Sequence, residues 1–394
     1  MRFSKRSNWN TEESDLARAH RARIESGLSV ADLTASNPTR CGFHYERNLL
    51  TALTDPRALD YDPQPRGLLQ AREAVCQYYA AHQVAIAPEQ VVLTTSTSEA
   101  YSYLLRLLCD AGSEILVPQP GYPLFDFLAV LDDVRIKPAA LVYDHGWQID
   151  PETFRRAITP ETRAIVLVHP NNPTGHFTKP WEAEELGKLC REFELSLIVD
   201  EVFLDYGFVL DRHATFAAGL KGVPVFVVSG LSKIAAMPQM KAAWIVAAGP
   251  ESALALERLE VIADTFLSMN APVQWALPAW LGGRHAIQRE ILERVTANLA
   301  ELDRQMALQD TVRRLYVEGG WYAVLRIAAL QPDEVTVREL LDEGVWVHPG
   351  YFFGMAASGW LILSLLAKTE EFSTGVTRIF EYFGKHQISN STTF

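Results

Sequence analysis

Ser229-Gly230-Leu231-Ser232-Lys233 directly follows the apolar run Val223–Val228, so a buried strand ends where small hydroxyl residues and one lysine begin. A lysine at the mouth of a sheet sheds its proton when desolvated and can then attack an aldehyde. The hydroxyls beside it suit a phosphate. Alone, a Ser-x-x-Ser-Lys run also occurs in ordinary loops; the upstream sequence decides what it is for.

Three upstream segments complete the pattern. His169-Pro170-Asn171-Asn172-Pro173-Thr174-Gly175 follows the apolar run Ala164–Val168. Asn, Pro and Gly fix turn dihedrals, and an asparagine placed there can aim its amide at a ring hydroxyl. Leu195–Val199 leads into Asp200-Glu201, an apolar strand with a carboxylate at its C-terminal end. A pyridine nitrogen needs such a carboxylate if its ring is to stay protonated and act as an electron sink. Val91-Val92-Leu93 passes into Thr94-Thr95-Ser96-Thr97-Ser98-Glu99, a strand entering a helix. Hydroxyls and free N–H groups at a helix N-terminus bind phosphate. A ligand with an aldehyde, a phosphate, a ring hydroxyl and a pyridine nitrogen is pyridoxal 5′-phosphate (PLP).

With these pieces the chain resembles the class I/II aminotransferases of PLP fold type I. The resemblance is carried by Tyr61 with Gly67, Thr95-Ser96-Thr97, Pro120-Gly121-Tyr122, Asn172-Pro173-Thr174-Gly175, Asp200-Glu201, Ser229 to Lys233, Lys241 and Pro349-Gly350. They run through nearly the whole chain in the family's order. The resemblance implies that Lys233 forms the internal aldimine and later carries the proton between substrate Cα and cofactor C4′. It implies that Asp200 holds the pyridine N–H and that Asn172 donates to the phenolate oxygen. Thr95, Ser96, Thr97, Ser229 or Ser232, and Lys241 would bind phosphate, and Tyr122 would stack on the ring. Tyr61 would reach the phosphate of a neighbouring subunit's site, which implies a homodimer with composite active sites.

Two positions depart from the family's pattern. A tyrosine that commonly shares the phenolate with the asparagine is replaced by Phe203. Losing that donor should raise the aldimine pKa. The late-strand arginine that usually grips the substrate's α-carboxylate is replaced by Ile362, in Trp360-Leu361-Ile362-Leu363-Ser364. A buried carboxylate facing aliphatic residues is costly, so either another cation takes over or the substrate lacks a carboxylate there. Arg40, in the N-terminal segment that often lines the family's substrate pocket, is the replacement the sequence offers. Lys241 in place of the usual arginine keeps the charge and gives up bidentate geometry.

Composition sets the bounds. The 394 residues are 48% hydrophobic, enough for a large core in two lobes. A net charge of −12 argues against nucleic acid as a partner. Cys41, Cys76, Cys109 and Cys190 lack CxxC spacing or a neighbouring histidine cluster, so reduced thiols are expected rather than a metal site or disulfides. Met1–Thr11 is polar and no run reaches membrane-spanning length, so a soluble cytoplasmic protein with no membrane partner is expected.

Strands and helices alternate through the first two thirds of the chain, several strands being short continuous apolar runs. That predicts an α/β fold with a mostly parallel sheet covered by helices. From about Glu251 long amphipathic helices take over, followed by strand-like Tyr322–Ile327, Val345–Val347 and Trp360–Leu365. A large PLP-binding domain is expected at 46–280, and a smaller α+β domain from 1–45 and 281–394. The function implied is amino transfer by a ping-pong route, from a small-molecule amino donor to a keto acid or aldehyde acceptor. A PLP lyase, decarboxylase or cyclase would use the same constellation. A non-catalytic PLP-binding regulator is the third reading, disfavoured by an acidic chain without an appended DNA-binding domain.

Overall fold

Short apolar runs that end in polar residues become the strands of one central sheet. A computed structural model describes residues 1–208 and 214–391. After the short β1 (Ala31–Asp32), the strands β2 (Val91–Thr94), β3 (Glu114–Gln119), β4 (Arg135–Tyr143), β5 (Trp147–Ile149), β6 (Thr162–Val168), β7 (Ser196–Asp200), β8 (Val225–Gly230) and β9 (Ala243–Ala248) follow in turn. β2 to β9 form an eight-stranded sheet in the order β2-β9-β8-β7-β6-β3-β4-β5. β8, β7, β6, β3 and β4 are parallel, whereas β9 and β5 run against their neighbours.

The continuous apolar runs are explained by burial on both faces. Along β7, Leu197 and Val199 join one core cluster with Ile165, Leu167, Val225, Val227 and Trp244. Ile198 points the other way, to Val166, Val168, Phe226, Val228 and Ile245. Each aliphatic side chain withdrawn from water in this way contributes roughly 1.5–3 kcal/mol. Helices Leu69–Ala81, Pro180–Glu192 and Ala271–Gly283 cover the first face, and Thr97–Leu108, Leu124–Leu131 and Ser252–Phe266 the second.

The last third builds a second sheet from β10 (Arg313–Arg314), β11 (Tyr322–Arg326), β13 (His348–Pro349) and β14 (Trp360–Ser364), antiparallel in the order β10-β11-β14-β13. β12 (Val345–Trp346) pairs instead with β1, in parallel. The expected single strand Val345–Val347 is therefore two short pairings with different partners on either side of Val347. The hairpin strand β5 and the terminal helices Asp15–Glu25 and Thr369–Ser391 were not among the expected elements. The N-terminal segment is pinned to the second sheet: Ser364 N donates to Leu33 O at 2.7 Å, and Ser364 Oγ to Ala35 O at 2.5 Å. No described helix is long and apolar enough to cross a membrane.

Candidate active site

β6, β7 and β8 are parallel neighbours in register, with Val168 opposite Asp200 and Asp200 opposite Val228. Their C-terminal ends therefore open on one edge of the sheet, the edge where open α/β sheets bind ligands. The Asn172 turn, Asp200 and the Ser229–Lys233 run all emerge there.

The two asparagines of the turn have different work. Asn171 builds it: Nδ2 donates to Pro120 O at 3.1 Å and to Thr174 Oγ1 at 2.8 Å, and its carbonyl accepts Gly175 N at 2.7 Å. Gly175 sits at φ +69°, where a Cβ would also collide with Val317 and the Gly319 carbonyl. Asn172 is also buried but takes no such part in the turn, and Oδ1 of each asparagine has no partner.

Asp200 is buried, and Oδ2 accepts the Tyr101 hydroxyl at 3.1 Å while Oδ1 accepts Val202 N at 3.0 Å. Burial raises its carboxyl to about 6, against the pull of these two donors and the Lys233 charge. Lys233 lies on the short turn Leu231–Ile234 straight after β8. Burial lowers its ammonium to about 8, opposed first by Asp200 and then by Cys41. Burial moves the two values toward one another, and the attraction between the two opposite charges only partly offsets it.

Lys233 is held from its backbone outward. Tyr206 Oη donates to the Lys233 carbonyl at 2.6 Å. Lys233 Nζ stands 4.9 Å from the Trp321 ring centroid and 5.7 Å from that of Phe203, the residue expected in place of a tyrosine. Behind it, Ser229 is fully buried with an unpartnered Oγ. At Gly230 a Cβ would meet Ala242 O only 2.8 Å away, so the chain there must be glycine.

The other expected residues differ in what they do. Ser96 caps the helix Thr97–Leu108, its Oγ accepting Glu99 N at 3.1 Å. Glu99 Oε2 in turn accepts from Thr95 N at 2.6 Å, Thr95 Oγ1 at 3.0 Å and Ser268 Oγ at 2.9 Å. Thr97 opens that helix, and Ser232 is half-buried beside Lys233. Tyr122 packs edge-on to Phe125 at 6.3 Å, close enough to Asp200 for its charge to add to the burial that raises the phenol. Lys241 is exposed at φ +52°, Tyr61 is 82% exposed in a cleft with Ser268 and Asn270, and Arg40 is exposed on the turn Pro38–Arg40. Ile362 is fully buried on β14 between Val324 and the buried His348 Nδ1 side of β13. Tyr101, Tyr206 and Trp321 escaped the sequence reading. Tyr101 alone carried a signal, lying one helical turn beyond Thr97.

An unmade hydrogen bond to a buried polar atom costs about 1–3 kcal/mol. Asn172 Oδ1 and Ser229 Oγ both carry that cost on this edge. Asp200 carries a further one, since its charge lacks a full counterion. A ligand offering a pyridinium to Asp200, an aldehyde to Lys233 and an oxygen to the Ser229 hydroxyl would relieve Asp200 and Ser229, and its ring oxygen would give the Asn172 amide N–H an acceptor. The residues therefore fit PLP.

A family model described as aminotransferase class I and II matches residues 47–379. Alanine aminotransferase of Mycobacterium tuberculosis (strain ATCC 25618 / H37Rv) is 30% identical over 386 residues, covering 91% of this chain and 87% of that protein. Glutamate-pyruvate aminotransferase of Escherichia coli (strain K12) is 29% identical over 272 residues, 68% of this chain and 67% of that protein. Among solved structures, alanine aminotransferase from Pyrococcus furiosus aligns with a TM-score of 0.89 at 25% identity, covering 98% of this chain and 100% of that one.

Proposed function

The chain belongs to the class I and II aminotransferases, which are PLP-dependent enzymes, and from that premise we propose that it moves an amino group in two half-reactions centred on Lys233. The observation that carries this reading is the buried pair Lys233 and Asp200 at the strand ends, each pushed toward its neutral form by burial, beside the unpartnered Asn172 Oδ1 and Ser229 Oγ. The names of the similar proteins make alanine, glutamate and pyruvate the first substrates to test.

When bound, PLP supplies the carbonyl that takes the amine and the ring that draws electrons from the substrate carbon. Lys233 then holds a proton near neutral pH and can hand it from one carbon to another, a role suited to an amine lowered to about 8. Asp200 keeps a positive charge on the pyridine nitrogen, with Tyr101 and Val202 N orienting its carboxylate. Asn172 addresses the ring oxygen. Ser229, Ser232, the Thr95-Ser96-Thr97 turn and Lys241 receive the phosphate, and Tyr122 covers the ring face. Arg40 takes the substrate carboxylate that Ile362 cannot bind. Tyr61 completes the site of a second subunit, so the working enzyme is a homodimer. We assign residues 46–280 to the large lobe and both termini to the small one, a division supported by the separate eight-stranded and four-stranded sheets.

The test is a half-reaction. Reconstituted enzyme given L-alanine or L-glutamate without acceptor should lose its visible band as the cofactor takes the amine, and pyruvate or 2-oxoglutarate should restore it. Borohydride reduction followed by mass spectrometry should place the cofactor on Lys233. A band that is bleached but never restored by an oxo acid, with carbon dioxide or another cleavage product released, would replace transfer with lyase or decarboxylase chemistry.

A further inference from the structure

Trp321 is fully buried between two other aromatic residues of the site, edge-on to Phe203 at 5.2 Å and to Tyr206 at 5.1 Å. Its backbone is fixed, the carbonyl accepting Leu365 N at 2.8 Å. Its indole Nε1–H has no partner. A buried donor with nothing to donate to marks a place where an acceptor arrives with a ligand. The neighbour that defines the place is Lys233 Nζ, 4.9 Å from the indole centroid.

Three tyrosine hydroxyls near this place are already committed. Tyr45 Oη donates to Ala236 O at 2.7 Å, Tyr101 Oη to Asp200 at 3.1 Å and Tyr206 Oη to Lys233 O at 2.6 Å. Phe203 has no hydroxyl to give. The indole N–H is the donor left over among these rings. On the cofactor, the acceptor nearest to Nζ is the phenolic oxygen, because it is ortho to the carbon that Nζ bonds.

We propose that the Trp321 indole N–H is the hydrogen-bond donor to the cofactor's phenolic oxygen that Phe203 cannot supply. Trp321 thereby tunes the protonation of the Lys233 linkage, alongside Asn172. The proposal rests on PLP being carried by Lys233. A donor to that oxygen weakens its hold on the linkage proton, so the lysine-bound cofactor titrates at lower pH with Trp321 than without it. Asp200 and Cys41 are the titratable groups whose charges act on Lys233, and all variants below retain them.

The experiment is a spectrophotometric pH titration of the resting holoenzyme, without substrate. Trp321→Phe keeps a ring and removes the donor. It should raise the midpoint by about one to two pH units, the worth of a hydrogen bond to a charged oxygen. Phe203→Tyr in that background should bring the midpoint back. Phe203→Tyr in the otherwise unaltered enzyme should shift it by less than about half a unit, because the oxygen is already served. Should Trp321→Phe not fold, this last variant decides alone. A full downward shift in it overturns the proposal. So does an unmoved midpoint in Trp321→Phe; if that variant instead binds carboxylate-bearing substrates more weakly, the N–H serves the substrate. Absence of any visible band in the reconstituted parent protein would refute the cofactor assignment itself, a separate outcome.

Discussion

Replacing Asp200 by asparagine is expected to stabilise the cofactor-free protein while disabling the enzyme. Asp200 is 7% exposed and ionises at about 6 instead of 3.8, chiefly because burial penalises its charge. That difference corresponds to about 3 kcal/mol of destabilisation once the carboxylate is ionised. The folded protein holds this proton more tightly than the unfolded chain. The penalty is therefore absent below about pH 4, grows between the two values, and is complete above about pH 6. Asparagine never incurs it. The gain is trimmed because the bonds from Tyr101 and Val202 N weaken on a neutral acceptor, and because Lys233 loses a neighbouring charge. A net gain of about 1–2 kcal/mol at neutral pH remains. Urea unfolding of apoprotein at about pH 4 and about pH 7 measures it, and the advantage of Asp200→Asn should appear only at the higher pH. With PLP present the order reverses: cofactor is held more loosely and kcat falls roughly 100- to 1,000-fold. Equal stabilisation at both pH values, or a loss at neutral pH, would refute the account of Asp200 as a buried charge awaiting a cation.

Two further outcomes follow from the geometry. Gly175→Ala should cost about 2–4 kcal/mol in chemical unfolding, since it imposes both a positive φ and a collision with the Gly319 carbonyl; a smaller loss would mean that the Val317 side of the turn yields freely. Arg40→Ala should raise KM for an α-amino acid donor roughly 10- to 100-fold and leave an amine without the carboxylate nearly unaffected, and equal losses on both would assign Arg40 a structural role.

Much of the site could be read from the sequence because each of its main residues stands where a continuous apolar run stops. Asn172 and Lys233 come a few residues after β6 and β8, and Asp200 is the last residue of β7, so the side-chain chemistry changes where each apolar run stops. The choice between Asn171 and Asn172 is different. It depends on Pro120 and Thr174 drawing one amide into the turn, and Pro120 is remote in sequence. Tyr101, Tyr206 and Trp321 are aromatics on a helix, a loop and a strand lead-in. Such residues look like core until a hydroxyl is seen to meet a particular atom or an indole N–H to lack a partner. The split of Val345–Val347 had a related cause: β1 and β14 meet it from different sides, and a partner as remote in sequence as β1 leaves no local trace.

The fastening of the N-terminal segment to the late strands also sets an order in time. Asp32 N bonds Glu371 Oε1 across 339 residues, and Leu33 and Ala35 are held by Ser364. A ribosome supplies roughly 5–20 residues per second. The last strand of the central sheet ends at Ala248, so the platform carrying Asn172, Asp200 and Lys233 has all its strands many seconds before Ser364 emerges. Until then the segment bearing Arg40, made first, lacks the contacts that hold it. On the nascent chain the platform bearing Lys233 comes first, and the segment we propose to choose the substrate is fastened last.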